Sequence, residues 1–229
     1  GGINRVWLAV AGLCTGGSIW ATHFIAMLAY DDGVPTAYEP VLTAVSLAIA
    51  FILTTLGLSI SAKAALAGHG RLAIASGGAV IGIGTIAMHF TGMQALQIAG
   101  VIQWHTDLVI TAIVLGIVLS AGAMLVFHRG QTIKTVLAST GFLVAAIVAL
   151  HTIAMSAVTI IPDPTIVVPE SRFSNPTLAL AIVMSTVVVL AAGFIATLQE
   201  SRAARASAQS TRELVNAATD GLVLARDGI

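Results

Sequence analysis

Three histidines in this chain each stand four residues ahead of a methionine: His23 with Met27, His89 with Met93, and His151 with Met155. On a helix, residues at i and i+4 share one face with Cβ atoms about 5–6 Å apart, so each pair turns an imidazole and a thioether toward one space. Neutral imidazole suits copper, zinc, iron and nickel, while thioether sulfur is a soft donor that selects copper(I) over harder ions. The pairs therefore describe a metal site, with copper as the best match and zinc as the alternative. A proton relay or buried ion pair lacks its other half, because the apolar stretches around the pairs hold no Asp, Glu or Arg and a single Lys63 at a helix end. The competing reading is packing, in which each histidine donates to a carbonyl and each methionine fills a gap. Three pairs with one spacing and one chain order weigh against it, since independent packing choices have no reason to repeat.

The elements that must position these pairs are membrane helices. Hydrophobic residues make up 57% of the chain and charged residues 9%, against about 25% charged in an ordinary soluble domain. Formal net charge is zero, which removes a nucleic-acid footprint. The single cysteine, Cys14, excludes an internal disulfide and any CxxC motif. Apolar stretches run from Val6 to Leu28, Val41 to Ala65, Leu72 to Ile98, Leu108 to Phe127, Val136 to Ile161 and Leu178 to Leu198. The fold class is thus an all-α membrane protein, a six-transmembrane-helix bundle. The first stretch is long enough to span and lacks a small-residue cleavage pattern, so it is expected to stay in the protein rather than be removed as a signal peptide.

The histidines lie on the first, third and fifth stretches, 66 and 62 residues apart, so the chain reads as three helical-hairpin repeats of a motif helix and a plain one. His23, His89 and His151 come five, nine and ten residues before the outer ends of their stretches, which sets the three at similar depth in the outer half. Basic residues recur at alternate turns, with Arg5 before the first stretch, Lys63 and Arg71 around the second loop, Arg129 and Lys134 around the fourth, and Arg202, Arg205 and Arg212 after the sixth. That bias places both termini in the cytoplasm. Tyr30, Tyr38 and Trp104 then fall at the outer boundary. The proline-rich segment from Pro162 to Pro176 is expected to form an extended cover. Glycines on the first and third helices are read as close-packing positions. Thr85, one turn before His89, is a candidate to bond its imidazole, and Trp20 is either a shield for the site or a core residue.

At the motif Met88-His89-Phe90-Thr91 and its two counterparts the sequence resembles the MHYT domain, a bacterial integral-membrane sensor family, over about Val6 to Leu198. The resemblance implies six helices with the motif on three of them near the outer face, a bound copper, and sensing of oxygen, carbon monoxide or nitric oxide. It also implies PAS, GGDEF or EAL modules downstream. Phe24, Phe90 and Thr152 stand where the family has its motif tyrosine, and Thr22 and Leu150 replace the methionine ahead of the first and third histidines. What matches in every copy is the histidine and the later methionine, so ligand roles carry over to His23, His89, His151, Met27, Met93 and Met155. Met88, the one methionine kept ahead of a histidine, is counted with them.

Residues 1–198 are accordingly the membrane sensor domain and 199–218 a helical linker. Residues 219–229 resemble the opening of a truncated PAS-like domain. The expected function is a non-enzymatic sensory domain of the bacterial inner membrane that binds copper, reads a diatomic gas or a redox or metal state, and signals to a C-terminal effector of the PAS/GGDEF/EAL kind. A second copy of the chain is an open option as partner. The rivals are a three-histidine zinc hydrolase, which lacks a buried carboxylate for acid–base work, and a metal transporter, which would spread its ligands over several depths.

Overall fold

The computed structural model describes residues 5–30, 36–130, 132–166, 168 and 173–226. Among them are six helices: α1 (Arg5–Ala29), α2 (Pro40–Leu66), α3 (Arg71–Ala95), α4 (Thr106–Phe127), α5 (Ile133–Ser156) and α6 (Asn175–Arg226). All six are long and apolar enough to cross a membrane. In hydrocarbon each backbone N–H and C=O must bond within its own segment, and an apolar run of this length meets that demand only as a helix. Polar side chains cap the starts of two of them: the Leu42 N–H donates to Glu39 Oε2 at 2.6 Å ahead of α2, and Thr132 Oγ1 accepts from the Thr135 N–H at 3.3 Å ahead of α5.

The chain divides into two units. The first, ending at Val189, holds the bundle; the second, from Leu190, is helical as far as Arg226. Helix therefore covers the 199–218 stretch expected to be a helical linker. It also covers 219–226, while the Asp227-Gly228 turn lies outside the described residues. Consecutive helices up to α5 pack as antiparallel neighbours, and α1 also meets α6 through Cys14, whose thiol donates to the Val189 carbonyl at 3.6 Å.

Two expected helices are shorter than their apolar runs. The third stops at Ala95 rather than Ile98 and the fifth at Ser156 rather than Ile161. The residues that follow form strands β2 (Leu96–Ile98), β3 (Gly100–Trp104) and β4 (Val158–Pro162), joined by β1 (Thr36–Tyr38) after α1. Hydrophobicity continues through the boundary, but Val158, Thr159, Ile160 and Ile161 are β-branched and favour a pleated surface. An apolar run does not by itself record where helix gives way to strand.

The strands link the loops in a closed cycle. β1 pairs antiparallel with β2, Tyr38 opposite Leu96, and β3 pairs with β4, Trp104 opposite Val158. Tyr38 then exchanges two backbone hydrogen bonds of 2.9 Å with Phe173, which precedes α6. Each of the three histidine-side loops is thus bonded to both others. The segment expected to be an extended cover supplies Pro162, the last residue of β4, and Phe173 to this cycle; its residues 167 and 169–172 lie outside the described ones. Within it the Thr165 hydroxyl and N–H both donate to the Asp163 carboxylate, holding its pKa below the ordinary value.

Candidate metal centre

His23, His89 and His151 stand six, six and five residues before the last residue of α1, α3 and α5. At ~1.5 Å per residue each lies some 8–9 Å below its helix end; His89 and His151 are closer to that end than their apolar stretches implied, because strands take over the final residues of those two. One depth on three helices makes a layer, and the layer closes on itself. His23 Nδ1 is 3.2 Å from His89 Nδ1 and 3.3 Å from His151 Nδ1. Ligand nitrogens of all three lie within 4.8 Å of one another. The rings meet edge-on, with centroids 4.8, 5.3 and 5.5 Å apart. Among the described residues no carboxylate or cysteine joins the group.

His23 is 2% exposed and His89 1%, while His151 is half-buried. At each Nδ1 contact one nitrogen carries a hydrogen and the other is bare. The opposite nitrogens of His23 and His89, both Nε2, are buried and have no hydrogen-bond partner. Burying a polar atom without a partner costs on the order of 1–3 kcal/mol, so the layer is an expensive arrangement for packing alone.

The four candidate methionines line the apolar cluster around the layer. Met27, Met88 and Met93 are buried in it with Trp20, Phe24, Tyr38 and Leu96, and Met155 packs against it. Phe24 and Phe90, which occupy the motif's tyrosine position, set their rings against His23 and His89 with centroids 4.7 and 5.1 Å apart. Trp20 belongs to the core: its indole N–H donates to Ser46 Oγ at 3.0 Å and its ring tilts on Phe24 at 4.9 Å. Thr85 does not serve His89. Its hydroxyl donates to the Ile81 carbonyl at 3.0 Å, the usual way a helical threonine satisfies itself. His105 lies outside the group and contacts Thr159 Oγ1 at 3.2 Å.

Gly92 is a site-shaping residue that sequence reasoning passed over. A Cβ there would stand 2.5 Å from His23 Nε2 and 3.0 Å from its Cδ2, so the absent side chain is the space the imidazole occupies. The signal was present, since Gly92 directly precedes Met93 and lies three residues after His89, but it reads like any other helix-packing glycine.

Convergent imidazoles on alternate helices of a six-span chain repeat one unit, and the profile of the MHYT repeat, described as a bacterial signalling protein N-terminal repeat, matches residues 16–77 and 82–140. The chain belongs to the MHYT family. The two matched copies contain His23 and His89, and His151 lies beyond them. The MHYT domain is 36% identical over 228 residues, all of its length, to 28% of an uncharacterized signaling protein of Caulobacter vibrioides. It is 30% identical over 159 residues, 67% of this chain, to 20% of the cyclic di-GMP phosphodiesterase NbdA of Pseudomonas aeruginosa. It is 29% identical over 224 residues, 93% of this chain, to 32% of MucR from the same organism, a bifunctional diguanylate cyclase/cyclic di-GMP phosphodiesterase. The chain spans a third or less of the length of these curated relatives. No solved structure matches. The MHYT domain is a multi-pass membrane sensory unit, and catalysis in such relatives belongs to their other parts.

Proposed function

We propose that this domain holds a copper ion on the Nδ1 atoms of His23, His89 and His151 and converts a change at that ion into a signal for a cytoplasmic effector that makes or breaks cyclic di-GMP. The observation that carries the reading is the Nδ1 spacing. Nitrogens bound at ~2.0–2.1 Å to a tetrahedral ion stand about 3.3 Å apart, which the contacts of 3.2 and 3.3 Å match before any ion is considered. The donor set fits as well: three imidazoles without a carboxylate, with the motif methionines in the apolar cluster of the same bundle, favour a soft ion. Copper bound there supplies a one-electron couple and an open position for oxygen, nitric oxide or carbon monoxide.

The chain's own residues do the rest. Phe24, Phe90 and Tyr38 close the layer against water, and Gly92 fixes where the His23 ring sits. Met27, Met93, Met155 and Met88 are available as further soft ligands. Both termini face the cytoplasm of the inner-membrane protein, so α6 leads from the bundle toward the effector. A ligand biases that output only through different affinities for two helix arrangements. The names of the two Pseudomonas relatives are what point to cyclic di-GMP.

Elemental analysis of the purified domain from cells grown with copper and zinc tests the reading. About one copper per chain is expected, with at least a tenfold loss in His89→Ala while helical content is kept. Zinc retained together with hydrolytic turnover would favour the hydrolase, and no retained metal in the wild type would leave the histidines as packing residues. For topology, a cysteine placed at Asp31 should react with an impermeant thiol reagent on intact cells; reaction only after lysis reverses the orientation.

A further inference from the structure

At the end of the bundle opposite the histidines, two neighbouring repeats carry the same feature. A cavity of about 790 Å³ opens between the start of α1 and the end of α2, lined by Arg5, Leu8, Thr55, Ser59, Lys63 and Leu66. A second, of about 290 Å³, opens between the start of α3 and the end of α4, lined by Arg71, Ile74, Leu125, His128 and Arg129. In each, the first residue of the odd helix is an arginine and the end of the next helix brings a second cation, with aliphatic side chains between them. Arg5 and Arg71 stand at the same distance in sequence, 18 residues, from His23 and His89. The helices separate there because the small-residue seams end one or two turns earlier: Gly12 against Thr55 in the first pair, Gly78 against Ser120 in the second.

The donors available are few. The Thr55 and Ser59 hydroxyls already donate to the Phe51 and Thr55 carbonyls at 2.7 Å, which leaves Arg5 and Lys63. In the smaller cavity burial lowers the His128 pKa, so Arg71 and Arg129 carry the charge at neutral pH. Among the described residues no ion pair engages these four cations. Solvated cations at a membrane boundary need no cavity; two cations at the mouth of a partly apolar one ask for an anion with a hydrocarbon attachment. We propose that the two cavities bind the headgroups of anionic phospholipids, the phosphate lying between Arg5 and Lys63 or between Arg71 and Arg129, with the first methylenes on Leu8 and Leu66 or on Ile74 and Leu125. Free inorganic phosphate shares the charge but makes no use of the aliphatic wall.

The test uses the whole chain in nanodiscs of equal parts phosphatidylcholine and phosphatidylglycerol, with retained lipid counted by native mass spectrometry after detergent extraction. Phosphatidylglycerol should be enriched over phosphatidylcholine by roughly tenfold or more. The Arg5→Gln/Lys63→Gln/Arg71→Gln/Arg129→Gln variant should lose that preference with its helical circular dichroism intact, whereas Arg205→Gln, exposed on α6 outside both cavities, should keep it. Equal retention of the two lipids by the wild type overturns the proposal, and this result needs no variant to fold. So does an equal loss in Arg205→Gln, which would mean diffuse attraction, or displacement of the lipid by inorganic phosphate, which would make the free ion the ligand.

Discussion

The two halves of α3 are built on opposite terms. From Gly77 to Gly84 four glycines let neighbouring backbone against the helix: a Cβ on Gly77 would meet the Gly57 carbonyl at 2.5 Å, and one on Gly82 the Gly116 carbonyl at 2.8 Å. From Met88 to Met93 it carries a histidine, an aromatic ring and two sulfurs, and the histidine meets α1 and α5 instead. Unpartnered hydroxyl oxygens occur in the first region too, on Thr54, Ser61 and Ser120, yet these come singly from α2 and α4. In the second region imidazole nitrogens from three helices converge. Backbone-to-backbone contact holds helices together without a hydrophobic driving force between them, which lipid does not provide. Tight fit in one region allows the other to tolerate costly, loosely satisfied groups, the usual arrangement at a functional site.

Substitutions that add bulk should separate the two regions. Gly77→Leu is expected to do the most harm, about 3 kcal/mol, because backbone on both sides leaves the new side chain nowhere to go. A thermal melt of the purified protein in detergent reads it, and melting like the wild type would mean that the seam is not tight. Gly92→Ala should weaken copper binding about 10- to 100-fold with a much smaller change in metal-free melting, since its neighbour is a movable ring rather than a carbonyl. Equal affinity in a competition titration would remove Gly92 from the site. Trp20→Phe should be mildest, lowering stability by about 1 kcal/mol through the lost bond to Ser46 and leaving copper affinity unchanged. A change in affinity instead would return Trp20 to the role of shield.

Much of this was readable from residue order. Six spans follow from apolar length, and the histidine layer follows from three i, i+4 pairs placed alike on alternate helices, because helix geometry is local and repeats in sequence. The endings of α3 and α5 were not readable. Leu96–Ile98 and Val158–Pro162 become strands only because partners 54 to 62 residues away present matching edges, and no local signal announces a long-range partner. Thr85 misled for a related reason: its spacing from His89 suits a bond, but a carbonyl of its own helix is nearer and always available. Gly92 was hidden because a missing side chain names no neighbour.

The loop cycle has a mechanical meaning. Since Tyr38 touches Phe173 and Leu96, and Trp104 touches Val158, a pull on any one hairpin is carried to the remaining pair through backbone bonds. Displacement at the rim is therefore shared among all three repeats, as in the leaves of a camera diaphragm.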